Sequence, residues 1–382
     1  MSVRIFVMTH KEFHEPDDPV YVPLHVGRKS YLERIADEAA SGGQETTGGQ
    51  VQESSIGDDK LLSYLGDDSG DSISDKNCYY SELTGLYWVW KNVKDVNIVG
   101  SCHYRRYLIN DLGKVLTSQE IAHILEKYDL ITTKNLQLNY SYYDGFSHNH
   151  KQYYLDETAK VIQELYPEDY PIYEKLVHEK HTYFGNMLIA RKEVYDEYME
   201  WMFHILQTLE ERIVIEEEDS YHRRIFGFIS EFLLLVWVVC RKKKVYECMV
   251  GMLGEKAETA EIKHKLGEFF AKGDYEGAKE FFLEARKKRP DILMEASDIT
   301  GELHLCMQII ATAGLEQQTY GTNILDKIRD YRTLMHWCNE LNRYSIGILR
   351  GEDVSELKHW VESQGITEVA QKVSMDMFWG NK

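Results

Sequence analysis

Residues 96–108 read VNIVGSCHYRRYL. The first half is an apolar run rich in Val and Ile, which suits a strand buried on both faces. The second half places Cys102, His103, Tyr104, Arg105 and Arg106 at that strand's carboxyl end. In an α/β sheet, ligands sit in the loops beyond the carboxyl ends of the strands. Working outward, the hydrophobic pattern predicts strands over 3–8, 129–133, 182–190 and 244–249. Residues 20–26 read as extended, with Pro23 marking an edge. Helices are expected over 75–92, from Thr117 or Ser118 to near 128, and over 153–165, 169–179, 192–212 and 225–240. Strands alternating with helices imply an α/β sheet, largely parallel.

Beyond about residue 253 the strand signals vanish and only helical segments follow. The expected organisation is an α/β domain over 1–250 and an all-helical domain over 251–382. Residues 273–291 resemble one helix of a tetratricopeptide-type repeat, but no second copy follows at the repeat length. Residues 39–57, AASGGQETTGGQVQESSIG, contain no aromatic residue. Such a segment buries too little surface to order itself, so a flexible polar loop is expected over about 30–60.

The chain of 382 residues carries a formal net charge of -19. That excess argues against a nucleic-acid binder, whose phosphates attract Lys and Arg. The charge is local. Residues 28–75 hold 11 acids against 4 bases and residues 164–220 hold 15 against 5, so the rest is nearly neutral. Six cysteines are scattered without a CxxC pair, as in reduced cytosolic proteins. The apolar stretch at the N-terminus is too short for a signal peptide and reads as a strand. Residues 225–240 fall short of the roughly 20 apolar residues of a membrane helix and include Ser230 and Glu231. They read as a buried core helix, and the basic residues 241–244 leave peripheral membrane contact open.

Four segments could carry chemistry. Adjacent Arg105 and Arg106 form either an anion site, since guanidinium forks match phosphate oxygens, or ion pairs with the acidic stretches. Asp67, Asp68 and Asp71 precede a helix carrying Glu82; they could hold a ribose or a metal, or serve as turn formers. His148 and His150 stand in an HxH spacing without further ligands at a familiar distance, so a sugar or phosphate contact is favoured over zinc. Glu231 interrupts an apolar helix, where a carboxylate is costly unless paired or functional. A buried Glu has the raised pKa a general base needs, and an ion pair with Arg223 or Arg224 is the structural alternative. The chain has no GxxxxGK[ST], GxGxxG or GxSxG motif, which argues against P-loop NTPases, Rossmann dehydrogenases and α/β-hydrolases.

In order, THK (9–11), YVPLHVG (21–27), DDSGDSIS (67–74), NxxYxELTGLYWxWKN (77–92), IVGSCHYRRYL (98–108), YFGNMLIARKEVYDEYMEWMF (183–203) and RxFGFxSE (224–231) resemble a bacterial family of capsular and exopolysaccharide biosynthesis proteins. That family was long catalogued only as a domain of unknown function and is related to nucleotide-sugar glycosyltransferases of the GT-A type. The resemblance covers roughly residues 1–250. The polar stretch around 30–60 is longer than the family pattern needs, and the helical tail lies outside it.

The resemblance implies a GT-A-like, Rossmann-type mixed sheet flanked by helices, and transfer of a sugar from a UDP-sugar to a glycan or lipid-linked acceptor on the cytoplasmic side. Some relatives look like transferases of galactofuranose from its UDP form; UDP-galactose is a further candidate donor. Thr9, His10, Asp68, Asp71, Asn77, Glu82, Arg105 and Arg106 are then expected at the donor. His148, His150 and Asn186 are expected at the acceptor. Glu231 would be the base, with Asp156 the runner-up. Most GT-A enzymes bind a divalent metal through DxD, but this sequence has no Asp-x-Asp and its central strand ends in HYRR. Neither cofactor nor divalent metal is therefore expected, with His103 and the arginines in the electrophilic role. A non-catalytic glycan- or nucleotide-sugar-binding scaffold and a nucleotide hydrolase remain as other readings.

Overall fold

The computed structural model describes residues 2–41, 57–215, 217–252, 254, 257–293 and 297–379. Two compact units divide the chain, residues 1–253 and residues 254–382.

Among its described residues the first unit has ten strands: β1 (Val3–Thr9), β2 (Tyr21–His25), β3 (Leu65–Gly66), β4 (Ile98–His103), β5 (Arg106–Ile109), β6 (Leu130–Thr133), β7 (Leu136–Gln137), β8 (His181–Thr182), β9 (Leu188–Arg191) and β10 (Val245–Met252). Eight form one sheet in the order β3-β2-β1-β4-β5-β10-β6-β9, and β9 also pairs with β4. β7 and β8 make a separate ribbon.

β1 shows why the sheet has a core on each face. Successive side chains point to opposite sides, so Phe6 and Met8 enter one cluster while Ile5 and Val7 enter the other. The larger cluster packs under the helices Leu83–Asn92, Lys192–Glu210 and Ile225–Cys240. The last of these is buried along most of its length, as its all-round apolar sequence requires. Among the described residues no helix is long and apolar enough to cross a membrane. Two of the cations in 241–244 are spent internally. Arg241 grips Asp169 through both Nη atoms at 2.7 and 3.0 Å, and Lys243 Nζ lies 2.6 Å from Glu197.

Four local departures from the sequence reading matter for the site. The sheet is evenly mixed rather than largely parallel: β1–β2, β2–β3, β1–β4 and β6–β10 run parallel, while β4–β5, β4–β9, β6–β9 and β5–β10 run antiparallel. The chain after His103 turns back at once into β5 instead of leaving as a loop. The helix expected over 75–92 breaks at Ser81, whose φ of 51° is left-handed, and restarts after Glu82. The strand expected over 182–190 is interrupted between β8 and β9 by Gly185 and Asn186, both with positive φ, 94° and 49°. Asn186 is thus not a mid-strand residue.

The polar loop expected over about 30–60 begins as a helix, Arg28–Ser41. Arg34 and Glu38 pair on it at 2.8 Å, and its first N–H groups are received by Asp67 and Ser74. Those caps come from residues some forty positions away, so local composition does not reveal them. Residues 42–56 lie outside the described residues.

The elements of the second unit are all helices among its described residues. Leu266, Phe270, Phe282, Leu303, Cys306, Ile309, Leu334, Trp337 and Leu341 form its core. Asp274 caps the helix Tyr275–Lys288 by accepting from Gly277 N at 2.8 Å.

Candidate functional site

Parallel pairing puts the carboxyl ends of β1, β2, β3 and β4 along one edge of the sheet. The antiparallel β9 starts at that same edge, because Leu188 pairs with Ser101. The turn before β9 therefore arrives beside His103. Its left-handed backbone at Gly185 and Asn186 is held by contacts on both sides. Gly185 N donates to Glu231 Oε1 at 2.9 Å, and His103 Nε2 lies 2.6 Å from Gly185 O. A carbonyl can only accept, so the His103 proton sits on Nε2. Asn186 Nδ2 donates to Glu82 Oε1 at 2.8 Å and to Gly227 O at 3.1 Å, and its Oδ1 accepts from Ser230 Oγ at 2.9 Å. Arg224 Nε donates to Ser81 Oγ at 2.8 Å. One two-residue turn thus joins two carboxyl groups and one imidazole, drawn from three other segments.

The electrostatics of these groups diverge. Burial pushes Glu231 up to about 7, and the neighbouring Glu82 charge adds to it; Arg106 and the Gly185 N–H pull the other way. A cavity of only about 10 Å³ lies behind Glu231, walled by Leu86, Tyr198, Met199 and Leu234, so little water reaches that side. Burial also opposes a charge on Glu82, yet its carboxyl sits below the ordinary range because His103, Arg224 and the Asn186 hydrogen bond favour the anion. His103 is pushed down to about 4 by burial and by Arg106, against the pull of Glu82. Near pH 7 His103 is therefore neutral, and Arg224 with Asn186 keeps Glu82 ionised. Glu231 is poised between its two forms. Two carboxyl groups with pKa values driven apart is the arrangement that separates a charged stabiliser from a proton acceptor.

The arginines complete the cluster. The Arg106 side chain makes no hydrogen bond or ion pair with a described residue, and a Cβ on Gly185 would come 3.6 Å from its Nη1. Arg105 packs against the Tyr104 ring at 5.3 Å, and its buried Nε and Nη1 have no hydrogen-bond partner among the described residues. In a protein with surplus acid, neither guanidinium forms an ion pair with a carboxylate among the described residues. The buried, unspent donors of Arg105 suit a phosphate.

The other expected residues distribute as follows. Thr9 is buried at the end of β1, but its hydroxyl is spent on the backbone of Lys11. His10 meets the Tyr104 ring edge-on at 5.5 Å, which places it near Arg105. Asp68 lies 3.9 Å from Arg28. Its neighbour Asp67 is the structural hub, accepting from Gly27 N, Arg28 N, Ser74 Oγ and Thr84 Oγ1. Asn77 supports that hub, donating to Ser81 O at 2.7 Å and lying under Gly27. Asp71 binds Tyr87 and Asn92, toward the end of the helix Leu83–Asn92 remote from Glu82. These contacts account for Asp71 and Asn77 without a ligand.

His148 and His150 do not converge. His148 packs on Tyr140, while His150 stacks among Phe146, Tyr221 and Phe228 with its buried Nδ1 unpartnered among the described residues. Arg224 lies over the same Phe228 ring at 5.8 Å, so the aromatic group adjoins the cluster. Asp156 is exposed, accepts from Tyr143 and touches none of the cluster residues. Of the acidic run 216–219, Glu216 lies outside the described residues. Glu218 is spent on Lys151 and Tyr154, and Asp219 on His222. No group of three His, Cys, Asp or Glu able to hold a metal occurs among the described residues.

Sequence reasoning missed the roles of Gly185, Ser81 and Ser230. The Gly-Asn pair at 185–186 was the available signal, since that dipeptide marks a turn with positive φ.

Comparisons with known proteins agree with this architecture. The family described as "Domain of unknown function (DUF4422)" matches residues 4–243. The apo structure of the bifunctional glycosyltransferase WbbM superposes with a TM-score of 0.53 at 25% identity, covering 67% of this chain and 46% of that one. The chain thus spans less than half the length of that structure. No curated protein matches it.

Proposed function

This chain belongs to the DUF4422 family, and from that premise we propose that its first unit is a glycosyltransferase that moves a sugar from a UDP-sugar to a hydroxyl of a glycan or lipid-linked acceptor. Its fold likeness to a glycosyltransferase supports sugar transfer in general. The observation that carries the reading is Glu231, raised to about 7 and within the electrostatic reach of Arg106, at the sheet edge that also carries Arg105 with buried donors unspent on any described residue.

In this reading Arg105 and Arg106 bind the diphosphate. Glu231 accepts the proton of the acceptor hydroxyl as its oxygen attacks the anomeric carbon. The bond from that carbon to the phosphate oxygen breaks, and its electron pair leaves with UDP, whose charge the arginines offset. Direct displacement by one base inverts the anomeric centre. Ionised Glu82 keeps Glu231 basic by repulsion and offers charge opposite the developing positive character of the sugar. His103 does not fit the electrophilic role, because it is neutral and its proton is committed to Gly185 O. It acts as a positioning residue for the turn that holds Glu231. Asp156 is set aside as base. Asn186 likewise positions Glu82 rather than binding acceptor, and the Phe228, Tyr221 and His150 rings are the acceptor surface.

The sequence without DxD and the arginines at the end of β4 favour transfer without a divalent metal. Purified protein assayed with UDP-galactofuranose, UDP-galactose and other UDP-hexoses, with and without EDTA, tests this. Turnover unaffected by EDTA supports the reading. Turnover abolished by EDTA and restored by a divalent metal refutes it.

A further inference from the structure

The helical unit contains a cavity of about 220 Å³ that the proposed transfer does not use. It is walled by the end of the helix Glu302–Tyr320, by residues 322–328, by Trp337 of the helix Tyr331–Arg350 and by residues 364–367. Its lining is chemically mixed. Glu316 is only 4% exposed, yet its carboxyl has one hydrogen bond, from Thr367 Oγ1 at 2.5 Å, and no ion pair with a described residue. Trp337 is also 4% exposed, and its indole N–H donates to no described residue. Tyr320 is 49% exposed. Lys327 is exposed and forms no ion pair with a described residue. Ile324 and Ile366 supply apolar wall.

Each of these groups asks something different of an occupant. A buried carboxyl with a free oxygen calls for a donor. The indole N–H calls for an acceptor, and Lys327 for another. Tyr320 offers an amphipathic ring with one apolar face. A bare cation would meet Glu316 but leave the indole unmet and face Lys327. A carboxylate would be repelled by Glu316. A hydrocarbon would leave the Glu316 carboxyl and the indole N–H desolvated and unpaired. A neutral sugar ring meets every demand, because it carries hydroxyl donors and acceptors around its rim and C–H groups on its face. The volume is below the roughly 300–1,000 Å³ of pockets that hold drug-sized ligands, a size for one ring.

We propose that this cavity is a saccharide-binding site, holding a single neutral hexose residue of a glycan by Glu316, Trp337, Lys327 and the Tyr320 ring. The site stands whether or not the first unit transfers sugar.

The test is saturation-transfer NMR on the full chain with methyl β-D-galactopyranoside, methyl β-D-galactofuranoside and methyl α-D-glucopyranoside, in the presence of excess UDP. The expected result is transfer to ring protons of at least one glycoside, undiminished by UDP. Tyr320→Ala removes an exposed ring and leaves the core intact; Trp337→Phe keeps a ring but removes the N–H. Each should weaken binding by roughly three- to tenfold. No transfer to any of the three glycosides overturns the proposal. So does wild-type affinity in the Tyr320→Ala variant, or binding of butylammonium in place of a glycoside.

Discussion

Replacing Glu231 by Gln separates two consequences of its burial. The amide keeps an oxygen for the Gly185 N–H, so the 2.9 Å contact survives, but basicity is gone. General-base catalysis contributes about 10²–10⁴ in rate, so kcat should fall by that factor, a loss of about 3–5 kcal/mol in transition-state stabilisation. The same change should stabilise the fold. In the folded chain Glu231 is raised from 4.5 to about 7. Its protonated form is therefore favoured by folding, and the contribution is fully present below about pH 4.5 and lost as pH rises through about 7. At pH 8 the penalty for ionising it is at most about 3 kcal/mol, and Gln does not bear it. The assay is paired: initial rates of UDP release from pH 5 to 9, and thermal melts of both proteins at pH 4.5 and pH 8. The expected variant is slower by at least about a hundredfold, and gains melting temperature at pH 8 but not at pH 4.5. Near-wild-type turnover would refute the base assignment. An equal stability change at both pH values would refute the account of its burial.

Other outcomes follow from the same geometry. Glu82→Gln removes the repulsion that raises Glu231, so the acid limb of the rate profile should move to lower pH; a limb that stays or rises contradicts the coupling. Arg106→Ala should weaken UDP binding by roughly 10- to 150-fold in calorimetry, the range of a charge-assisted hydrogen bond, and unchanged affinity removes it from the diphosphate. Asp67→Asn disturbs a carboxylate that accepts from four groups, and should lower stability by about 2–4 kcal/mol in urea unfolding. Asp68→Asn, lacking those bonds, should leave stability within about 0.5 kcal/mol; equal effects at the two positions would contradict the hub assignment.

The parts of the fold that were legible are those written in local pattern. β1, β4 and the helices Lys192–Glu210 and Ile225–Cys240 follow from apolar runs and 3.6-residue periodicity. Glu231 stood out because a carboxylate inside an apolar run needs an explanation. The unread parts depend on partners distant in sequence. Ser81 and Asn186 adopt left-handed φ, a conformation that non-glycine residues rarely choose alone. Surrounding contacts hold them there: Arg224 on Ser81, and Glu82, Gly227 and Ser230 on Asn186. Arg28–Ser41 is helical because Asp67 and Ser74 cap it from across the sheet edge. Asp71 and Asn77 stood out because polar loop residues before a helix serve caps and sites alike, and the hydrogen bonds they make inside the fold depend on partners that local sequence does not reveal.

The most direct test of the central claim is acceptor-dependent UDP release by the purified chain. The reaction should contain a panel of UDP-hexoses in pyranose and furanose forms and a mixture of glycan and lipid-linked glycan acceptors, with product mass followed. The account predicts UDP release that requires acceptor, a product heavier by one hexose residue, a rate rising through about pH 7, and loss of all three in Glu231→Gln. UDP release at the same rate without acceptor, or transfer undiminished in that variant, would contradict it.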